Sequence, residues 1–331
     1  MRSLAYVSVY GGGMDPLASV LAGPSARGAF VLRCSLEPPW AMRIADEAPL
    51  SVVALVRGQA YIVPSGGAPV LLRAGDVAVV RGPEHYTVAD EIGTTPQVRI
   101  EPGQVCIPLA GPDTPAMTDV GVRTWGNARD GSTLLLDGTY ESQSMVGRRV
   151  LAGLPQIVVA PREHVPSALI DYLSAQISRD EPGQAAVLDR ILDLVLIAVL
   201  RWWFASSGSA SSDGAGWYRA SADPVVGQAL VLMQEQPAAA WTVEGLGATT
   251  GLSRAAFARR FTALVGEPPM SYLTGWRMSL AADLLAEPGA TVASVARRVG
   301  YGTPFAFSTA FKREHQVSPQ QYRASLVATT A

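Results

Sequence analysis

Arg259 and Lys312 carry the most legible chemistry in this chain, because phenylalanine pairs fix the other face of the helix that holds each of them. In Arg254-Ala-Ala-Phe-Ala-Arg-Arg-Phe261, Phe257, Phe261 and Leu264 recur at i, i+4 and i+7, the spacing of one buried helical face. At about 100° per residue, Ala255, Arg259 and Thr262 then lie on the opposite face. In Phe305-Ala-Phe-Ser-Thr-Ala-Phe-Lys-Arg313 the buried pair is Phe307 and Phe311, and Phe305, Thr309 and Lys312 turn outward. A guanidinium or ammonium on such a face can neutralise phosphate or pair with a guanine edge, and the DNA major groove is wide enough to admit the helix.

The elements that position these faces repeat. Leu246 to Ser253 leads into the first helix, and Val295 to Pro304 leads into the second, about fifty residues later. Each copy is a short helix, a Gly-containing turn, a Ser or Thr cap, and a second helix. That is the sequence form of a helix-turn-helix. Ser253 is a good N-cap, and Leu252 before it can pack on Phe257 as a hydrophobic staple. Thr303 caps the later helix, with Pro304 at the first helical position, where a missing N–H costs nothing. Two such units in tandem imply binding to double-stranded DNA.

Further motifs around them carry a resemblance. Tyr301-Gly302, Phe307-Ser-Thr-Ala-Phe-Lys-Arg313, Val317-Ser-Pro-Gln-Gln-Tyr-Arg323, Gly266-Glu-Pro-Pro-Met-Ser-Tyr-Leu273 and Trp276-Arg-Met-Ser-Leu-Ala-Ala-Asp-Leu-Leu285 resemble the AraC/XylS family of bacterial transcription regulators. The resemblance covers about a hundred residues. It implies that Met270–Ala286 is a rigid connecting helix, roughly 25 Å long. It also implies two recognition helices, Arg254–Val265 and Pro304–Glu314, set about 34 Å apart on one side of the duplex. The DNA-facing residues it implies are Arg254, Ala255, Ala258, Arg259, Thr262, Pro304, Phe305, Ser308, Thr309 and Lys312. This chain departs from the family at Thr309, where Arg is common, and at Gln316, where Gly is common. The second helix therefore offers few polar groups to base edges, and its readout is expected either to be weaker or to rest on Phe305 against thymine methyls. Arg297, Arg298, Arg254 and Arg260 are either phosphate contacts or solvated surface residues. Trp241 and Trp276 are expected to pack. The family also leaves room for contacts with RNA polymerase.

Upstream the composition changes. From Gly28 to about Glu141, short β-rich runs recur: Phe30–Ser35, Trp40–Ile44, Val52–Val56, Ala60–Val63, Val70–Arg73, Val77–Val80, Tyr86–Val88 and Thr133–Leu136. Strands at this spacing suggest a sandwich or small barrel. The Pro- and Gly-rich stretch from Gly93 to Asn127 reads as a long loop. Leu72 to His85, with a Gly-Asp turn, an apolar strand, Gly-Pro and a histidine, is similar to half of a cupin motif, and cupins are jelly-roll barrels. Many are metal enzymes. His85 has no partner in the strands between residues 50 and 63, and His164 and His315 lie in helical segments, so neither a metal site nor a cofactor is expected. A metal-dependent cupin enzyme fused to a DNA-binding module is the alternative reading, and it lacks its ligands. The expectation is a sensor or assembly module rather than an enzyme.

The predicted architecture is therefore α+β in two domains. A cupin-like β-barrel (jelly roll) spans residues 14–150, preceded at its start by a short helix at Met14–Leu21, with a helical extension at 151–205. A flexible linker follows at 206–221, and an all-α tandem helix-turn-helix domain at 222–331. In the extension, His164–Ser178 reads as one helix and Ala185–Phe204 as another. The second is too apolar to leave a side in water and is expected to pack on the barrel, on its twin in a homodimer, or on both. The serine- and glycine-rich linker, Ser206 to Gly216, would span roughly 16–20 Å.

Charge divides the same way. Of 331 residues, 1–216 hold 16 Arg or Lys against 21 Asp or Glu, whereas 217–331 hold 10 against 7. The basic part is the helical part, as phosphate binding requires. The most apolar run, Leu194–Leu200, is too short to span a bilayer. No basic leader precedes an apolar core at the N-terminus, so a cytoplasmic protein without membrane contact is expected. Met1 and Met14 are both candidate starts. Cys34 and Cys106 are too few for a disulfide framework. Some members of the cupin-bearing branch sense reactive chlorine through cysteines, and Cys34 sits six residues before a Trp, as in those relatives. The resemblance makes it a candidate redox-responsive thiol, with a disulfide to Cys106 as a further guess. Arg33 beside it, or Arg43 across the sheet, would favour the thiolate, whereas burial would make it a small hydrophobe. The effector otherwise has no identity in the sequence.

Overall fold

The computed structural model describes residues 29–109, 116–140, 154–206, 220–221 and 223–329, with side chains to residue 325. The expected N-terminal helix at Met14–Leu21 and nearly all of the linker lie outside these residues. The described chain falls into two compact units, one β-rich and ending at Ser206, the other helical and starting at Ala220.

The β-rich unit contains β1 (Phe30–Leu36), β2 (Ala41–Ile44), β3 (Leu50–Arg57), β4 (Gln59–Pro64), β5 (Val70–Arg73), β6 (Val77–Arg81) and β7 (Tyr86–Ala89). It continues with β8 (Val98–Glu101), β9 (Val105–Pro108), β10 (Thr118–Gly121), β11 (Thr124–Gly126), β12 (Thr133–Tyr140) and β13 (Ile157–Ala160). They form a seven-stranded sheet, ordered β10-β11-β1-β12-β3-β6-β13, and a six-stranded sheet, ordered β5-β4-β7-β2-β8-β9. The expected barrel is thus two sheets, whose ladders do not join into one closed cylinder among the described residues. The expected long loop at 93–127 is corrected: it holds four strands, β8 to β11. Each is three or four residues long between Pro and Gly, too short to show alternation.

Side-chain alternation builds the layers. Cys34 and Leu36 of β1, Val53 and Leu55 of β3 and Leu135 of β12 face Met42, Ile62, Leu72 and Val88 of the other sheet in one core. Residues between them on β3 and β12, such as Val52, Ala54 and Leu136, are also buried, because a helical layer covers the back of the larger sheet. That layer is α1 (Ser167–Ile177) and α2 (Gln184–Ser206). Gly138 admits it: any Cβ there would collide with Leu192 of α2. The apolar stripe of α2, including Leu188, Ile191, Leu192, Val195 and Val199, is buried within the unit. His164 precedes α1 and stacks on Trp202 at 5.5 Å.

The helical unit contains α3 (Pro224–Glu235), α4 (Val243–Thr249), α5 (Arg254–Val265), α6 (Pro269–Leu285), α7 (Val292–Arg298), α8 (Pro304–His315) and α9 (Pro319–Thr329). Side-chain caps start five of them. Asp223 accepts from the amides of Val225 and Val226, Thr242 from Gly245, Ser253 from Ala256 and Thr303 from Ala306. Thr291 and Ser294 form a reciprocal capping box. Phe257 and Phe261 anchor α5 in a core with Leu230, Leu246 and Tyr272. Around α8, Phe307 meets Tyr301 edge-on at 5.8 Å and Phe311 meets Tyr322 at 5.5 Å. The long α6 joins the two halves. From it, Arg277 donates through Nε to the Pro237 carbonyl at 2.6 Å and through Nη2 to the Ala239 carbonyl at 2.8 Å.

Candidate nucleic-acid interface and ligand cavity

Helix α5 presents Arg254, Ala255, Arg259 and Thr262 to solvent, with Ala258 half-buried between them. This follows from the Phe257–Phe261 anchor, since both rings are fully buried and fix the rotation of the helix. Arg254 and Arg259 have no ion pair among the described residues. Arg260 is different. Its Nη2 lies 2.6 Å from Asp223 Oδ2 and its Nε 3.1 Å from the same atom, so it ties α5 to the cap of α3. Burial pushes the Asp223 carboxyl up, but the hydrogen bonds from Arg260 and two backbone amides outweigh it and hold the group below its usual range.

Helix α8 presents Pro304, Phe305, Thr309 and Lys312, with Ser308 half-buried. Phe305 is 83% exposed, an uncovered apolar ring on the outward face. The Thr309 hydroxyl donates back to the Phe305 carbonyl at 3.1 Å, which leaves its lone pairs as acceptors. On α7, Arg297 is exposed, while Arg298 pairs with Glu287 at 2.7 Å. Trp276 is buried, and Trp241 donates from its indole to the Gln236 carbonyl at 3.0 Å. Helices α5 and α8 end alike, in a left-handed residue: Gly266 after α5 and Gln316 after α8.

In the β-rich unit a cavity of about 300 Å³ opens between the two sheets. Leu32, Cys34, Val53 and Leu135 line it from the larger sheet, and Met42, Ile44, Tyr86, Val88 and Ile100 from the smaller. Asp137, in the middle of β12, points into it, with Leu32 and Val53 as its strand neighbours. Its Oδ2 accepts from the Thr139 hydroxyl at 3.1 Å. Burial and the nearby Asp46 carboxylate push the Asp137 carboxyl up to about 7, against the Thr139 hydrogen bond.

Sequence reasoning passed over Asp137. Its signal was a carboxylate at an inward position of an alternating run, Leu135-Asp137-Thr139. Cys34 and Cys106 both line the cavity, and both are free thiols. Cys106 lies on β9, in the stretch expected to be loop. Burial, together with Asp137, pushes the Cys34 thiol well up, which favours the protonated form. The arginines expected to assist it are engaged elsewhere: Arg33 donates to Ser178 Oγ at 3.3 Å and Arg43 to Ser65 Oγ at 2.9 Å. His85 is exposed at the start of β7, and the described residues contain no cluster of three metal-ligating side chains.

Two capped helix-turn-helix units, in one chain with a cavity-bearing sheet unit, are the architecture of a DNA-binding regulator. Known proteins agree. A Cupin family model matches residues 15–205 and a Helix-turn-helix domain model matches residues 246–325. A putative AraC-like transcription regulator of Streptomyces lividans is 30% identical over 315 residues, which span 94% of this chain and 98% of the relative. A second, from Streptomyces antibioticus, is 29% identical with the same coverage. The RCS-specific HTH-type transcriptional activator RclR of Escherichia coli (strain K12) is 29% identical over 198 residues, 58% of this chain and 68% of the relative. The chain belongs to the AraC-like transcription regulators, with a cupin domain ahead of its DNA-binding helices.

Proposed function

We propose that this regulator reads a specific operator through α5 and α8, and that a small effector in the inter-sheet cavity controls it. The observation that carries the reading is the pairing of two outward helical faces, each set by buried phenylalanines, with an inter-sheet cavity in the other unit. Arg254, Arg259 and Lys312 supply the charge, Ala255, Ala258, Thr262, Ser308 and Thr309 the close contacts, and Pro304 and Phe305 the apolar surface. In this reading α5 and α8 enter successive major-groove turns, about 34 Å apart.

The cupin domain also pairs two copies in this reading. Helix α2 leaves Val187 and Leu194 exposed at i and i+7, a stripe that suits a twin helix. The cupin topology is read as a jelly roll, with sensing rather than catalysis as its role, since the relatives are regulators by name. The chain works in the cytoplasm, at promoters where it can touch RNA polymerase. Among the described residues no helix is long and apolar enough to cross a membrane. Cys34 as a redox-responsive thiol is the weaker form of the sensor, because burial favours the thiol.

Gel-shift titration of the full chain on the promoter region of its own gene tests the reading. Specific binding should exceed binding to random duplex at every salt concentration, and log affinity should fall linearly with log salt. Equal affinity for both duplexes overturns it.

A further inference from the structure

We propose that the inter-sheet cavity takes a small organic cation with an apolar body, its ammonium group held by the Asp137 carboxylate. The inference rests on the reading of the cavity as the effector site and adds the ligand's chemical class.

Four charged side chains line the cavity: Asp46, Asp119, Asp137 and Arg123. Three of them are already engaged. Arg123 donates to the Arg179 carbonyl at 2.7 Å and lies 3.7 Å from Asp180, both beyond the C-terminal end of α1. Asp46 accepts from the Ala48 amide at 3.1 Å and from Gln104 Nε2 at 3.0 Å. Asp119 accepts from the Gly121 amide at 3.1 Å. Asp137 has only the Thr139 hydroxyl, on one oxygen, and its other oxygen has no partner among the described residues. The charge that acts on it is the like charge of Asp46.

A carboxylate in a mostly apolar cavity is costly unless something neutralises it. The remaining wall states what the neutralising group is attached to. Apolar side chains from both sheets surround Asp137, and Tyr86 and Trp125 add aromatic rings to the lining, a residue type that attracts cations. The volume of about 300 Å³ is at the small end for a ligand pocket. An anion would meet three carboxylates. A neutral ligand would leave the ionised form of Asp137 unmatched. A metal ion would want more oxygen or nitrogen ligands than converge here.

The test uses the full chain and three isosteric sets: benzylamine and hexylamine, their alcohols, and the matching carboxylates. Thermal shift finds binding and calorimetry measures it. The amines should raise the melting temperature in proportion to dose, and Asp137→Asn should weaken them at least about tenfold while its own unfolding transition stays cooperative. The proposal is overturned if no amine binds, if the alcohols or carboxylates bind as well as the amines, or if Asp137→Asn binds amines unchanged. Val53→Phe, which narrows the cavity, separates the two ideas. If it abolishes binding of an alcohol or carboxylate, the cavity remains the effector site and only the cation is wrong. If no class of probe binds wild type, the effector reading fails with it.

Discussion

Gly300, in the turn of the second helix-turn-helix, lies directly against Ala238 in the loop ahead of the first. A Cβ at Gly300 would stand 2.9 Å from both the Ala238 Cα and its carbonyl oxygen, and 3.0 Å from Arg277 Nη2. The same loop accepts the two Arg277 hydrogen bonds, so it packs against both α6 and the turn of the second helix-turn-helix unit. Gly251 holds the corresponding turn of the first unit, with φ +76° against +81° at Gly300, but open space surrounds it.

The contrast gives the first prediction. Gly251→Ala should cost only the left-handed strain, about 1–2 kcal/mol of stability. Gly300→Ala should cost more and should also reduce operator protection to one half-site. Urea unfolding with DNase footprinting checks both. Equal footprints for the two variants would mean that the Ala238 contact does not set the docking angle.

Adjacent arginines on α5 should behave differently. If Arg259 makes a bidentate guanine contact, Arg259→Ala should lose about 1–3 kcal/mol of operator affinity and relax preference at one base pair. Arg260→Ala releases only the partly exposed pair with Asp223, so it should cost at most about 1 kcal/mol of stability and leave base preference alone. Competition gel shifts against single-base operator variants read the difference.

The left-handed residue after α8 is a glutamine, with φ 62°, where α5 ends in Gly266 at φ 89°. Gln316→Gly should therefore stabilise the helical unit by about 1 kcal/mol, and Gly266→Ala should destabilise it by a similar amount. Denaturation midpoints at unchanged slope check the pair. The family's preference for Gly at this position has its physical reason here.

Asp137 makes stability depend on pH in a defined direction. Its folded pKa is raised, so the native state holds the proton more tightly than the unfolded chain. Its contribution is fully present below the ordinary aspartate pKa and is lost as pH rises to about 7. Asp137→Asn stays neutral throughout, so its melting-temperature advantage over ligand-free wild type should grow between pH 5 and pH 8. An advantage equal at both ends would place the carboxyl in ordinary solvent.

The helical unit was legible because its information is local. Phe257 and Phe261, or Phe307 and Phe311, fix a face without reference to the rest of the chain, and Ser253 and Thr303 fix the starts. Helices α5 and α8 accordingly lie within a residue of the expected spans. The sheet unit was legible only where runs were apolar. The strand expected at Thr133–Leu136 continues to Tyr140, through an Asp-Gly pair that in isolation favours a turn. Pairing with β1 on one side and β3 on the other overrides that preference. The cavity was invisible for the same reason: its walls come from strands far apart in the chain, and Asp137 acquires its character only when they close around it.

Asp137 and Gly138 are consecutive, yet one looks into the cavity and the other carries the weight of Leu192 on the reverse side. The sheet is one peptide thick at that point, a diaphragm with a cavity on its inner surface and a helix resting on its outer surface. With no side chain at Gly138, Leu192 of α2 packs straight onto the β12 backbone, so nothing stands between that strand and the helix. The residue that lines the cavity and the residue that bears on α2 are thus neighbours in the sequence, separated by a single amide.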